Sequence, residues 1–168
     1  MIKAIVYNSQ TGHSKQYAQI LGNKTNLPVY ELNAAAKELK RGTEIIYLGW
    51  LMAGTVKGYK KSSKRFTVKA VCGVGMSDNN SQLTDMRKAN HIPDAMPVFY
   101  LQGGFELDKL HGIYKLMMKT MKSTVGKGLS DKPNRTPEED AMLDLLKHGG
   151  NLVSADNLAQ LLTWYSQQ

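Results

Sequence analysis

The sequence predicts an α/β fold built on a mostly parallel sheet. Five short apolar segments, rich in β-branched residues, alternate along the chain with segments whose apolar residues recur at helical spacing. The connections are short, which is typical of parallel strands covered by helices on both faces. A length of 168 residues and a hydrophobic content of 42% suit one sizeable core, so we expect a single domain over 1–168.

Each strand is predicted from an apolar run with a clear end. The runs lie at 2–7, 28–32, 44–48, 67–74 and 97–101. The third ends at Gly49, the fourth at Gly73 and Gly75, and the fifth at Gly103-Gly104. Glycine at these ends indicates that each strand passes directly into a tight loop.

Helices are expected between the strands and after them. The four intervening segments lie at 14–21, 34–40, 57–64 and 82–89. After the fifth strand, a helical insertion is predicted over about 105–150. Its first helix, at 107–122, should end before Gly126 and Gly128, and its second should begin after Thr136, a cap residue that is followed by Pro137 and Glu139. A stub of strand at 152–153 and a final helix capped by Ser154 complete the chain.

The loop between the first strand and the first helix has the composition of an anion site. It consists of Ser9, Gln10, Thr11, Gly12, His13 and Ser14. Backbone N–H groups at a helix N-terminus are unpaired and favour negative charge, while the hydroxyls add donors. Because the loop holds no Lys or Arg and no Walker pattern, a phosphate monoester is expected rather than a triphosphate with its metal. The alternative is an ordinary helix cap without a ligand.

Charge and cysteine content narrow the classes of partner and location. The net charge of +8 includes two runs without acidic residues, at 57–69 and 109–127. These are either solvated helix faces or surfaces for an acidic partner such as anionic lipid. No nucleic-acid motif is present, so nucleic acid is not expected. A single cysteine, Cys72, and four scattered histidines predict neither an internal disulfide nor a metal site, and a cytoplasmic location follows most simply.

The phosphate loop and the glycine-terminated strands resemble the flavodoxin-like family over essentially the whole chain. The run Ser9-Gln10-Thr11-Gly12-His13-Ser14 is similar to that family's FMN-phosphate loop, Ser/Thr-x-Thr-Gly-x-Ser/Thr. The resemblance implies a doubly wound, five-stranded parallel sheet with helices on both faces, and FMN as the cofactor. The ring of FMN would lie at the loops after the third and fourth strands. The implied binding residues there are Trp50, Leu51, Met52, Ala53, Gly54, Gly75, Met76 and Ser77.

The segment after the fifth strand resembles one subgroup of this family. Gly103-Gly104-Phe105 and the basic, Met-rich run at 110–119 are similar to the corresponding segment of menaquinone-dependent protoporphyrinogen IX dehydrogenases. The chain departs from many flavodoxins in lacking a Gly-Ser-Pro-like start to the third-strand loop and a Tyr in the fourth-strand loop. The alternative for Met117, Met118 and Met121 is simple packing on the sheet.

Two redox functions remain open on this sequence, and the positive charge also permits a third, a flavodoxin-like regulatory or nucleic-acid-binding module without flavin, which no motif supports. The resemblance implies an FMN-dependent oxidoreductase that acts on a redox-active small molecule, with peripheral contact to anionic membrane through the insertion. The alternative is an electron carrier that docks on a redox protein, which the positive charge disfavours because such carriers are typically acidic. No catalytic residue is assigned: His13, Asp78 and His111 are the titratable groups of first interest, and none is predicted to be a proton donor.

Overall fold

The computed structural model describes residues 1–76 and 82–168. Eight strands lie in it: β1 Ala4–Asn8, β2 Val29–Glu31, β3 Glu44–Met52, β4 Thr55–Val56, β5 Thr67–Gly75, β6 Val98–Gln102, β7 Gly104–Phe105 and β8 Gly150–Asn151. The central sheet has the order β2-β1-β3-β5-β6, and every neighbouring pair along it is parallel. The prediction of an α/β chain with a mostly parallel sheet is confirmed.

Seven α-helices accompany the strands. They are α1 His13–Thr25, α2 Leu32–Glu38, α3 Tyr59–Ser63, α4 Leu83–Asn90, α5 Gly112–Ser130, α6 Pro137–His148 and α7 Ala159–Tyr165. Short 3-10 turns at Leu107–Lys109 and Ala155–Leu158 precede α5 and α7. Within residues 1–76 and 82–168, no helix is long and apolar enough to cross a lipid bilayer.

Two apolar clusters form on the strands because successive side chains of a strand point to opposite faces. Ile5 and Ile46 belong to the cluster that includes Tyr17 and Leu21 of α1 and Leu161 of α7. Val6 and Tyr47 belong to the other, which includes residues of α2, α3 and α4. The sheet is thus fixed in register by burial on each face, since a slip of one residue would exchange the two sets.

The third strand is longer than predicted. Positions 49–55 were expected to form a loop, but β3 continues to Met52 and turns through Ala53 (φ 48°) and Gly54 (φ 76°) into the antiparallel β4. Gly49 allows this hairpin because a Cβ there would lie 2.6 Å from the carbonyl oxygen of Lys57. The glycine therefore marks a close approach of backbone within a strand and not the end of that strand.

The insertion also differs from the prediction in one respect. Helix α5 continues through Gly126 and Gly128, where the chain was expected to break. Each helical glycine costs about 1 kcal/mol relative to alanine, but residues of α5 on either side of them, Met121 and Leu129, contact an apolar cluster that includes Leu146 of α6. The predicted cap of α6 is confirmed, because Thr136 and Glu139 form a reciprocal capping box.

A clasp of two short strands closes the insertion at its base. Strand β7 pairs antiparallel with β8, with Gly104 opposite Asn151 and Phe105 opposite Gly150. The predicted stub of strand at 152–153 thus lies two residues earlier in the chain. Because β7 follows β6 after one residue, the clasp places the insertion at the carboxyl end of the sheet.

The Tyr17 hydroxyl links α1 to the end of β6 and to the C-terminal segment. It donates to the carbonyl oxygen of Gln102 (2.5 Å) and accepts from Nδ2 of Asn157 (2.6 Å).

We expect Tyr17→Phe to lower the free energy of unfolding in urea by about 1–3 kcal/mol, since two partly buried partners, Gln102 and Asn157, each lose a hydrogen bond. Tyr165→Phe, in the same cluster, is the control and should change it by less than about 0.5 kcal/mol. Equal effects of the two variants would contradict this role.

Candidate functional site: an anion loop and an apolar cavity

The loop after β1 presents unpaired backbone donors at the start of α1. Gly12 is the N-cap residue, with φ 100°, a value that favours glycine, and no side chain of the described residues caps the helix. The N–H of Gly12 donates to the Ser9 hydroxyl oxygen (3.1 Å), which holds the loop closed. The N–H groups of the first helical turn have no acceptor within the helix, and the helix dipole favours an anion beside them.

Ser14 supplies a second, independent indication of a ligand. Its residue is only 1% exposed, and among residues 1–76 and 82–168 its hydroxyl oxygen has no hydrogen-bond partner. Ser14 lines the cavity described below. A buried hydroxyl without a partner costs free energy, so its presence beside the helix N-terminus indicates a site that a ligand completes.

The loop opens into a cavity of about 540 Å³, within the size range of small-molecule and cofactor sites. The loop, the ends of β3 and β5, and the insertion all contribute to its lining. The structure brings together most of the predicted site residues in its lining: Ser9, Gln10, Thr11, His13, Ser14, Trp50, Leu51, Met52, Ala53, Gly54, Gly75 and Met76. Gly12 lies in the loop itself. Ser77 and Asp78 lie outside the described residues, and the exposed His111 caps α5 without lining the cavity.

Trp50 stands at the junction between the sheet and the insertion. Its Nε1 donates to Oδ1 of Asn8 (3.1 Å), and its ring meets that of Tyr114 edge to face at 5.2 Å. The ammonium of Lys57 lies 5.8 Å from the centre of the indole ring. The indole is therefore held by Asn8 of β1, Tyr114 of α5 and Lys57 directly after β4, and it contributes a fixed aromatic wall to the cavity.

The insertion gives the cavity a largely apolar wall, which the sequence predicted only in part. The insertion contributes Phe105, Leu110, Tyr114, Met117, Met118, Met121, Val125, Met142 and Leu146. The Met-rich stripe of α5 was visible in the sequence, whereas Met142 and Leu146 of α6 were not considered as site residues. Their spacing of four residues on one helix face was the available signal. Flexible thioethers adapt to apolar ligands of varied shape, so this wall suits a large apolar guest.

A row of neighbouring polar and ionisable side chains joins the loop to the insertion. His13 is 5% exposed, and its Nδ1 lies 3.0 Å from the Thr11 hydroxyl oxygen. Its Nε2 lies 2.8 Å from Oε2 of Glu106, close but not aligned as a hydrogen bond. The other oxygen of Glu106 lies 2.8 Å from the ammonium of Lys109. Sequence reasoning missed Glu106, because nothing in the spacing places it beside a residue 93 positions earlier.

The environment sets the charge of these groups. Burial lowers the pKa of His13, which Glu106 raises in part and Lys109 lowers further. The hydrogen bond from Lys109 holds the pKa of the Glu106 carboxyl below its ordinary value, with the His13 ring adding to the effect. Glu106 is therefore ionised at neutral pH, and the cation form of His13 is disfavoured in the empty loop.

Removal of the Ser14 hydroxyl should not destabilise the ligand-free protein. Ser14→Ala deletes a buried group without a partner, so we expect the free energy of unfolding to stay constant or rise by up to about 1 kcal/mol. Ser154→Ala is the matched control, because the Ser154 hydroxyl accepts from the N–H of Asp156, and it should lower that free energy by about 1 kcal/mol. Urea unfolding followed by far-UV circular dichroism makes the comparison. A loss in Ser14→Ala as large as in the control would show that Ser14 is an ordinary structural residue.

Comparison with known proteins gives no match to a protein-family model, to a curated protein or to a solved structure.

Proposed function

We propose that the chain is a flavodoxin-like, doubly wound FMN-binding protein that acts as an oxidoreductase on an apolar redox-active molecule. The observation that carries the proposal is the Ser14 hydroxyl, buried without a described partner at the N-terminus of α1 and bordering the 540 Å³ cavity. A phosphate monoester would accept from this hydroxyl and from the N–H groups of the first turn.

The residues of the cavity fit the remainder of such a cofactor. The ends of β3 and β5 border the space next to the loop, and Trp50 offers a fixed aromatic surface there. Backbone groups at Ala53, Gly54 and Gly75 lie where they could meet the polar edge of a ring. Bound flavin would supply the electron-transfer chemistry, while this chain binds and orients it and excludes water with the Met-rich wall.

An enzyme is favoured over a pure electron carrier by the apolar wall. A carrier needs the ring edge exposed to a partner protein, whereas here α5 and α6 extend the cavity beyond the loop and enclose further apolar space. The net charge of +8 also disfavours docking on the basic patches that acidic carriers use. Catalysed oxidation of an apolar small molecule, with a quinone as the electron acceptor, would support an enzyme, whereas an electron carrier would not turn over such a molecule.

Binding of FMN and riboflavin tests the phosphate site directly. We expect the protein to keep a two-band visible spectrum after addition of FMN and desalting. Ser14→Ala should weaken FMN binding about tenfold, as expected for one hydrogen bond to a charged group, and leave riboflavin binding within about twofold, because riboflavin lacks the phosphate. Flavin fluorescence quenching measures both affinities.

Ser62→Ala is the matched control for that experiment. Ser62 is likewise fully buried with no partner for its hydroxyl among the described residues, but it lies on α3 and does not line the cavity. It should leave both affinities unchanged. A protein that binds neither flavin would overturn the proposed function.

The proposal includes contact of α5 with an anionic lipid surface. Every residue of α5 is at least partly exposed, and Ile113 (68%) and Leu116 (65%) are the most exposed of its large apolar residues. Lys115 and Lys119 lie beside this stripe on the same helix. An exposed apolar stripe flanked by lysines suits insertion at the boundary between lipid headgroups and chains.

Vesicle sedimentation tests this surface. The protein should bind vesicles with anionic headgroups more tightly than neutral ones, and less tightly at high salt. The double variant Ile113→Ser, Leu116→Ser should lose about tenfold or more in affinity. Leu152→Ser changes an exposed apolar residue outside α5 and should have no effect. Equal binding to neutral and anionic vesicles, or equal loss in both variants, would refute the contact.

A further inference from the structure

We propose that His13 is a positioning residue that takes up a proton together with the anion: a phosphate group bound at the loop and a proton on His13 stabilise each other. The inference rests on the proposed phosphate site and deepens it. It comes from the three groups joined around the imidazole, namely the Thr11 hydroxyl, the His13 ring and the Glu106 carboxylate.

The position of each hydrogen follows from what each group can donate. An ionised carboxylate only accepts, so Nε2 of His13, 2.8 Å from Oε2 of Glu106, must carry a hydrogen. In the neutral imidazole, Nδ1 then has a lone pair and accepts the hydrogen of the Thr11 hydroxyl, 3.0 Å away. A hydroxyl has only one hydrogen, so in this state Thr11 offers only lone pairs to the loop and would repel an anionic oxygen.

Protonation of His13 reverses that hydrogen bond. A proton from solvent adds to Nδ1, which now donates to the Thr11 oxygen, and the hydrogen of Thr11 becomes available to an anion. The loop gains one donor and one positive charge beside the first turn of α1, where no Lys or Arg lies in residues 8–14. Neutral and charged His13 thus correspond to a weaker and a stronger anion site with the same backbone.

The groups around His13 keep the empty loop poised for this change. The charged groups that act on it in the described part of the chain are Glu106, which favours the cation, and Lys109, which opposes it. Burial outweighs Glu106 and lowers the pKa of His13, so the ring is mostly neutral at pH 7 without a ligand. A dianion bound next to the loop attracts the His13 cation and so offsets the hydration that the ring loses on burial. Because anion binding and protonation of His13 favour each other, the affinity for the anion falls as the pH rises.

The first experiment measures the proton directly. The pKa of His13 is followed by nuclear magnetic resonance of its ring protons, assigned with His13→Asn, with and without saturating sulfate, whose charge is constant across the titration. We expect sulfate to raise the pKa by about one unit or more. An unchanged pKa with sulfate bound, or no binding of sulfate at any pH, would overturn the proposal.

The second experiment measures affinity against pH. Between the pKa values of free and bound His13, the dissociation constant of FMN should rise about tenfold per pH unit, and that of riboflavin should not follow it. His13→Asn keeps a donor toward Thr11 but cannot titrate, so its FMN affinity should retain only the dependence due to the phosphate's own ionisation. Equal pH profiles for wild type and His13→Asn would refute the coupling.

A third variant separates the coupling from a simple loss of structure. Glu106→Gln keeps the shape of the side chain but removes the charge that favours the cation, so the pH range of the effect should move to lower pH while the effect itself persists. Failure of FMN to bind while sulfate still raises the pKa of His13 would reject the flavin and keep the proton coupling. The two proposals therefore fail separately.

Discussion

The constraint on which the site depends is the passage from a buried central strand into a helix that has no side-chain cap. Strand β1 lies between β2 and β3 and cannot shift without breaking two parallel ladders. It therefore fixes the position of Gly12 and of the first turn of α1 at the carboxyl end of the sheet. The open N–H groups, the Ser14 hydroxyl and the His13 imidazole all take their positions from that point, and the cavity is formed by what surrounds it.

Local patterns predicted the frame of the protein because they depend on near neighbours. The strand preceding α1, the hydroxyl loop and the capping box at Thr136 are each encoded within a few residues. The hairpin after β3 was missed because Gly49 reads as a strand end, and only the distant carbonyl of Lys57 shows why a glycine is needed there. Helix α5 continues through Gly126 and Gly128 because α6 packs against it, and this tertiary contact outweighs the low helix propensity of glycine.

In the candidate site too, local patterns predicted some residues, whereas others depend on tertiary contacts. The predicted lining residues lie at the carboxyl ends of β1, β3 and β5 or in the turns after them, so the end of each predicted strand located them. Glu106 and Met142 come from the insertion, and no periodicity relates them to the loop. Trp50 was expected at the site, but its contact with Tyr114 required the orientation of α5. Long-range pairs of this kind depend on how one element lies against another, which short sequence patterns do not encode.

The clasp of β7 and β8 has a consequence for how this protein can vary in evolution. Because Phe105 lies opposite Gly150, the segment between them leaves and re-enters the fold at one place. Residues between the two strands can be lengthened, shortened or exchanged at a small cost in chain entropy, while the sheet and the loop after β1 keep their geometry. The apolar part of the cavity, which the insertion lines, can therefore change while the part formed by the loop after β1 keeps its shape.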